Sequence, residues 1–303
     1  MSIYYGITLD PLHIGAGGYR LGRVDNTIIR DAASGLPKVP GSSLAGVVRS
    51  YAVLTLKDED QKLEAMMCAT ASGTAKGNCG QCKVCKLFGY ASYGEKTNSR
   101  MGLLRFYDGR IVAFPVRTLH GPVWLVSPST LKNVGVTLPQ LPDEEELLTN
   151  FHVSPAVDNK EARLNFGWLY MPVKEMREKA VLDSIVEQLE RIMPQPQIAV
   201  APDWLFSEMV NSGLEVRTSV SIDPGTGAAE EGKLFTYEAI PAATLLAFDI
   251  TLDELRMVEQ GESVMEAKAI VETALKQCAL LGMGGMSTRG FGRIRFFWDQ
   301  EAV

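Results

Sequence analysis

Two side chains near the N-terminus are suited to acid–base or charge-stabilising chemistry: His13, beside a run of glycines, and Asp25, ahead of an apolar run. An imidazole titrates near neutral pH and can give or take a proton. Asp25 precedes the strand-like residues 26–29, so we expect it where a loop meets ordered structure. The alternatives are a hydrogen-bonded structural histidine and an Asx turn at Asp25. No Ser-His-Asp or Cys-His arrangement nearby supports a covalent nucleophile.

The same stretch has the composition of an anion site. Glycines let backbone N–H groups approach a phosphate, and the N-terminus of a helix offers unpaired donors. The common nucleotide-binding loops are excluded, because neither a Gly-Lys-Ser/Thr ending nor a GxGxxG pattern is present. The residues of this candidate site are Gly15, Gly17, Gly18, Arg20 and Arg23, followed by Gly41, Ser42 and Ser43 at the start of a predicted helix.

A second candidate phosphate site lies near the C-terminus, between a predicted helix and a predicted strand. Backbone amides, hydroxyls and guanidinium groups together suit a sugar–phosphate chain. A helix C-cap followed by a tight turn is the alternative, but it accounts for only some of the glycines. The residues of this second site are Gly284, Gly285, Thr288 and Arg289.

Four of the five cysteines cluster in the first third of the chain, and they are Cys68, Cys79, Cys82 and Cys85. In a reducing compartment such clusters usually bind a metal and rarely form disulfides. Four thiolates complete a tetrahedral zinc site and leave no position for a catalytic water. We therefore predict a structural zinc, with unligated thiols, redox chemistry or an iron–sulfur cluster as alternatives. Cys278 has apolar neighbours and is predicted to lie in the core.

The elements that must position these residues follow from periodicity and turn signals. The Asp108-Gly109 pair between apolar runs predicts a hairpin, and the polar stretch 224–232 joins the two arms of another. The predicted elements are a strand at 3–9, a helix capped by Ser42 or Ser43 and running to about 56, strands within 103–127, a helix at 174–193, hairpin arms at 215–223 and 232–240, a strand at 244–252, a helix at 262–281 and a last strand at the C-terminus. The first strand and helix, combined with the strand, helix, strand unit at the C-terminal end, predict an α+β fold with a ferredoxin-like, RNA-recognition-motif-like sheet.

Composition and charge bear on the kinds of partner the protein binds and on its location. The 303 residues carry a net charge of −6, which argues weakly against nucleic-acid binding through the whole surface. The first fifty residues are locally basic, so a basic groove stays open as an alternative. No apolar run has the length of a membrane span and the N-terminus is unlike a signal peptide, so the sequence predicts a cytoplasmic location.

The order of several motifs resembles the RAMP superfamily of CRISPR effector proteins, and within it the repeated backbone subunit of the type III-B, or Cmr, complex. The motifs are His13-x-Gly15, Asp25, Gly-Leu-Pro-x-x-Pro-Gly-Ser-Ser-Leu-x-Gly-x-x-Arg ending at Arg49, the Cys-x-x-Cys run ending at Gly89, and the stretches 113–128, 234–241 and 282–295. The resemblance implies a single domain over 1–303, with insertions at about 57–100 and 129–172 and a hairpin thumb at 215–240.

The resemblance also implies an activity. In such proteins the thumb displaces a nucleotide of the guide–target duplex, and a loop aspartate supports metal-dependent cleavage of the target RNA beside it. Asp25 matches that aspartate, while His13, Tyr237 and Glu238 are weaker accessory candidates. The 2′-hydroxyl of RNA supplies the nucleophile, so the products would be a 2′,3′-cyclic phosphate and a 5′-hydroxyl. Asp25 would either hold Mg²⁺ or another divalent cation or accept the hydroxyl proton.

The implied partners are a guide crRNA, a complementary single-stranded target RNA, further copies of this chain in a filament and other subunits of the Cmr complex, with no membrane. The implied RNA contacts are Gly15, Gly17, Arg20, Arg23, Ser42, Ser43, Arg49, Arg217, Gly284, Gly285, Thr288 and Arg289. A guide-binding scaffold without cleavage activity, or a type III-A homologue, remains the alternative.

Overall fold

The computed structural model describes residues 2–17, 24–56, 65–69, 79–90, 99–155 and 161–298. The strands are β1 (Ser2–Thr8), β2 (Lys38–Val39), β3 (Gly89–Tyr90), β4 (Arg100–Met101), β5 (Leu104–Phe106), β6 (Gly109–Thr118), β7 (Gly121–Val126), β8 (Leu147–Thr149), β9 (Arg163–Phe166), β10 (Leu169–Glu175), β11 (Gln197–Val200), β12 (Glu215–Ile222), β13 (Ala229–Ala239), β14 (Leu245–Leu252) and β15 (Ile294–Phe297). The α-helices are α1 (Gly41–Thr55), α2 (Lys83–Phe88), α3 (Pro128–Lys132), α4 (Asp183–Glu190), α5 (Asp203–Ser212), α6 (Glu254–Glu259) and α7 (Val264–Leu281).

The chain divides into two compact units, the first of which comprises residues 1–6, 39–109 and 248–303. Its strands follow the order β15, β1, β14, and β5 pairs antiparallel with the last residues of β14. Helix α1 packs against α7, and α7 contacts β15. The succession of strand, helix, strands, helix and strand is the ferredoxin-like arrangement predicted from the sequence, and the α+β class is confirmed.

The second unit comprises residues 7–38 and 110–247. Its strands follow the order β6, β7, β11, β8, β10, β9, with β11 parallel to β7 and antiparallel to β8. The first residues of β14, Leu245 to Ala247, pair antiparallel with β6. Strands β12 and β13 form a separate two-stranded hairpin. The single-domain prediction for 1–303 remains a prediction.

The Asp108-Gly109 pair does not form the predicted hairpin turn. Strand β5 pairs with β14, and β6 instead forms a hairpin with β7. Gly109 is needed for close packing, since a Cβ there would lie 2.2 Å from Cε1 of Phe248. Asp108 accepts a 2.9 Å hydrogen bond from the backbone N–H of Gly41, at the start of α1. The prediction of a cap by Ser42 or Ser43 is therefore wrong: the N-cap residue is Pro40, and the acceptor comes from a distant loop.

The predicted helix at 174–193 is also shorter than expected. Strand β10 continues to Glu175, a 3₁₀ turn covers Lys179–Leu182, and α4 begins at Asp183. The end of β10 pairs parallel with β8, from Val173 with Leu147 to Glu175 with Thr149. Strand pairing thus takes the first two residues of the predicted helix, because tertiary context overrides local propensity. The predicted insertion at 129–172 contains α3, β8, β9 and the start of β10.

Among the described residues, no helix is long and apolar enough to cross a membrane. Cys278 has no exposed surface, which confirms its predicted core position.

Candidate active site at the root of the hairpin

The predicted hairpin at 215–240 is present, and its second arm starts earlier than expected, at Ala229. Residues of β12 and β13 pair antiparallel, with Arg217 opposite Tyr237 and Thr218 opposite Thr236. At the tip, the N–H of Asp223 donates to the carbonyl of Ala228 over 2.9 Å. The arms leave several apolar side chains exposed, which are Val216, Val220, Ile222, Leu234 and Phe235.

A second segment runs alongside the root of β13. Asn26 forms a parallel bridge with Tyr237, because its N–H donates to the carbonyl of Thr236 (3.0 Å) and its carbonyl accepts from the N–H of Glu238 (3.0 Å). On its other side this segment pairs with the glycine loop, where Gly15 bridges Ile28. These two bridges bring the loop that carries Asp25 against the hairpin.

Asp25 is exposed, but its carboxylate is fixed by one neighbour. Oδ2 accepts hydrogen bonds from the backbone N–H and from the hydroxyl of Thr236, each 2.8 Å long. The N–H of Asp25 in turn donates to Oγ1 of Thr236 over 2.9 Å. Both bonds to Oδ2 stabilise the charged form, with the backbone bond contributing most, and hold the pKa of Asp25 below its usual value. The carboxylate is therefore ionised, oriented and open to solvent.

His13 lies against the same strand from the glycine loop. The residue is 7% exposed, and Nδ1 is 2.6 Å from the carbonyl of Glu238. Because a carbonyl only accepts, Nδ1 carries the proton of this hydrogen bond. The ring meets Tyr237 edge-on, with centroids 5.7 Å apart. A Cβ at Gly15 would lie 3.1 Å from Nε2, so the glycine leaves room beside this nitrogen.

Glu238 is engaged in an ion pair and is 8% exposed. Arg30 binds it with two guanidinium nitrogens, at 2.7 and 2.9 Å, and the N–H of Ile28 donates to Oε2 over 3.2 Å. Such bidentate pairs add geometric specificity as well as energy. With its oxygens occupied in this way, Glu238 has the surroundings of a structural residue that ties β13 to the 24–30 segment, in contrast to the accessory chemical role expected from the sequence.

The structure thus brings together the four residues predicted for chemistry, which are His13, Asp25, Tyr237 and Glu238. Sequence reasoning missed Thr236 and Arg30. Thr236 is separated from Asp25 by most of the chain, and its type gives no signal of a partner. Arg30 ends the strand-like run after Asp25, but its pairing with Glu238 depends on the fold.

The residues predicted to contact RNA differ in how exposed they are. Gly15 and Gly17 are exposed at the glycine loop, where Gly17 has a positive φ of 70°. Arg20 and Arg23 lie outside the described residues. Ser42 is exposed and Ser43 half-buried in the first turn of α1. Arg217 is exposed on β12 and pairs with Glu215 at 2.6 Å.

Arg49 does not have the exposure expected of an RNA contact. Its side chain is buried, with Nε donating to the carbonyl of Cys68 (2.8 Å) and Nη1 to that of Gly89 (2.7 Å). A buried guanidinium with two nitrogens held by carbonyls is not suited to bind a phosphate on the surface. We therefore reassign Arg49 as a link between α1 and the cysteine region.

The C-terminal glycine loop belongs to the first unit and presents polar groups to solvent. Gly284, Thr288 and Arg289 are exposed, and Gly285 is half-buried. The chain has left-handed backbone at Met286 and Gly290, on either side of a 3₁₀ turn at Ser287–Arg289. Gly292 allows a close crossing, since a Cβ there would lie 2.2 Å from the carbonyl oxygen of Met283. The loop is thus more than a helix C-cap.

The four clustered cysteines converge, as the sequence predicted. One ligand atom from each of Cys68, Cys79, Cys82 and Cys85 lies within 4.8 Å of all the others, and the Sγ atoms of Cys79 and Cys85 are 3.9 Å apart. The backbone N–H groups of Cys82 and Cys85 donate to the Sγ atoms of Cys79 and Cys82. Burial raises the pKa of Cys68, and hydrogen bonding to Cys85 together with burial raises that of Cys82.

The ferredoxin-like unit, the hairpin and the glycine-rich loops define a class of protein: the chain belongs to the RAMP superfamily, whose model matches residues 7–295. It is 30% identical over 262 residues to the CRISPR system Cmr endoribonuclease Cmr4 of Pyrococcus furiosus, covering 78% of this chain and 77% of that protein. The predicted family is thereby confirmed.

Solved structures agree with the fold. The crystal structure of oligomeric Cmr4 from Pyrococcus furiosus has a TM-score of 0.61 and 21% identity, with 99% of each chain covered. The cryo-EM structure of the type III-B Cmr-beta complex bound to cognate target RNA contains a chain with a TM-score of 0.63 and 19% identity, covering 98% of this chain and 96% of that one.

Proposed function

We propose that this chain is a backbone subunit of a type III-B effector complex, which binds guide crRNA as one of several stacked copies and cleaves complementary target RNA. The similarity to a Cmr endoribonuclease supports the activity. The observation that carries the proposal is the exposed, ionised Asp25 carboxylate at the root of a projecting hairpin. A site of this kind can act on a nucleotide that the hairpin displaces.

The reaction needs geometry and charge more than a protein nucleophile. The 2′-oxygen attacks the adjacent phosphorus and forms a 2′,3′-cyclic phosphate, while the bond to the 5′-oxygen breaks. The 2′-hydroxyl gives up its proton, and the departing 5′-oxygen takes one up to become a hydroxyl. In-line alignment of the attacking oxygen supplies much of the rate enhancement. Asp25 is the candidate to take up the first proton or to hold a cation, and His13 is a second candidate acceptor.

A divalent cation such as Mg²⁺ fits this donor set. Mg²⁺ keeps several waters and is commonly bound by one or two carboxylates together with substrate phosphates. Asp25 supplies one open carboxylate, and the RNA would supply the phosphate oxygens. The cation would stabilise negative charge that develops at phosphorus.

The RNA contacts are proposed for the exposed backbone and polar groups of the two glycine loops. Gly15 and Gly17 allow a chain to approach the loop beside Asp25, and Thr288 with Arg289 offers a hydroxyl and a guanidinium. Arg217 and the exposed apolar side chains of the hairpin would meet the guide–target duplex. A net charge of −6 is compatible with this, because a filament contact requires one basic face only.

The four cysteines are proposed to hold a structural zinc. Zn–S bonds of about 2.3 Å in a tetrahedron place the sulfurs ~3.8 Å apart, and the 3.9 Å between Cys79 and Cys85 fits that spacing. With all four positions taken by thiolates, the metal would stabilise the fold and would not contact substrate.

The activity is tested with a complex reconstituted from wild-type chain, guide RNA and labelled complementary RNA, with Mg²⁺ or with a chelator. We expect cuts at regular intervals that require the metal and leave a cyclic phosphate and a 5′-hydroxyl. Tight target binding without cuts would instead make the chain a guide-binding scaffold.

A further inference from the structure

We propose that Thr236 is the positioning residue of the Asp25 carboxylate. The position of the carboxylate is then fixed relative to the hairpin. This inference rests on the proposed function. Its basis is a closed set of three hydrogen bonds between two residues: two from Thr236 to Oδ2 of Asp25 and one from the N–H of Asp25 back to Oγ1 of Thr236.

Orientation matters here because Asp25 is exposed. A solvated aspartate side chain exchanges freely among rotamers, and holding it in one of them costs conformational entropy. The two hydrogen bonds from Thr236 supply this restraint at Asp25, and both of them engage Oδ2.

Thr236 is itself held firmly. It pairs with Thr218 across the hairpin. Its carbonyl accepts from the N–H of Asn26 on the other side. Two residues further along β13, Glu238 is clamped by Arg30 and accepts from the N–H of Ile28. The carboxylate of Asp25 therefore takes its position from the root of the hairpin, and a movement of that root would move the carboxylate with it.

The experiment compares Thr236→Val, which keeps the shape and removes the oxygen, with Thr236→Ser, which keeps the oxygen. Single-turnover cleavage and target affinity are measured in assembled complexes. We expect Thr236→Val to cleave about 10-fold more slowly, the effect of a small misplacement of a reacting group, with target affinity unchanged. Thr236→Ser should stay within about 2-fold of wild type.

Controls separate the possible outcomes. Thr273→Val changes an exposed hydroxyl on α7 that bonds to the carbonyl of Ala269, and it should cleave like wild type. Thr236→Ala serves as a second test if Thr236→Val fails to assemble, and it should show the same loss. Wild-type rates in both variants, or equal losses in the Val and Ser variants, would overturn the role of the hydroxyl. Asp25→Ala is run alongside: if it cleaves normally, the proposed function fails instead.

Discussion

Asp25 and Glu238 are both carboxylates at the root of the hairpin, and they differ in exposure and in hydrogen-bond partners. Asp25 is exposed and receives two hydrogen bonds from the neutral donors of Thr236. Glu238 is almost buried and is neutralised by the guanidinium of Arg30. A carboxylate that must act on a substrate needs free access and available lone pairs, so Asp25 is the one suited to chemistry.

Glu238→Gln tests this division. Loss of the charge weakens the bidentate bond to Arg30, and we expect the free energy of unfolding to fall by about 1.5–3 kcal/mol, the range for a hydrogen bond to a charged group. Denaturant unfolding measures this change. Cleavage per assembled complex should stay near the wild-type value. A large loss of cleavage at unchanged stability and assembly would show that Glu238 takes part in the reaction.

The N-terminus of α1 is capped by a hydrogen-bond acceptor from a distant loop. The helix has no side-chain cap of its own, and Asp108 accepts from the N–H of Gly41. Replacing the acceptor leaves an orphan donor and removes a negative charge that is favourable near a helix N-terminus. Asp108→Ala should therefore lower the free energy of unfolding by ~1 kcal/mol.

Ser42→Ala is the matched control for this change, because Ser42 is exposed in the first turn of the same helix. Its effect on thermal or denaturant unfolding should be close to zero. If Ser42→Ala destabilised the protein more than Asp108→Ala, the cap would belong to the serine, as the sequence suggested.

The sequence was informative about elements whose signals are local. Alternating and turn-forming residues predicted the hairpin at 215–240, and the spacing of Cys79, Cys82 and Cys85 predicted their convergence with Cys68. The predictions from sequence failed where contacts with a distant part of the chain determine the local structure. Residues 174 and 175 were predicted to begin a helix but pair with β8, and Asp108-Gly109 carries a turn signal but serves packing against Phe248 and the cap of α1. Thr236 was missed for the same reason.

At the scale of the whole molecule, the cysteine cluster is the feature whose loss should be felt most widely. It lies in the first unit, where Arg49 ties the carbonyls of Cys68 and Gly89 to α1. Cys79→Ser with Cys82→Ser should abolish zinc binding and lower the free energy of unfolding by at least ~3 kcal/mol, since structural zinc contributes folding energy directly. Metal analysis and thermal unfolding, with and without a chelator, measure both effects.

Cys278→Ala is the control for zinc content, because Cys278 is buried on α7 apart from the cluster. It should keep the wild-type amount of zinc even if it unfolds at a lower temperature. Folded wild-type protein without zinc, or unchanged stability in the double serine variant, would contradict the structural site.

The central claim is that the carboxylate of Asp25 is required to cut the target RNA, and cleavage by complexes assembled with Asp25→Ala tests it most directly. With guide, complementary RNA and Mg²⁺ present, we expect the regular cuts of the wild type to fall by at least ~100-fold, as for loss of a positioned acid–base group, while guide binding, target affinity and assembly remain unchanged. Cleavage at the wild-type rate would contradict the claim and leave Asp25 with a role in shaping the loop alone.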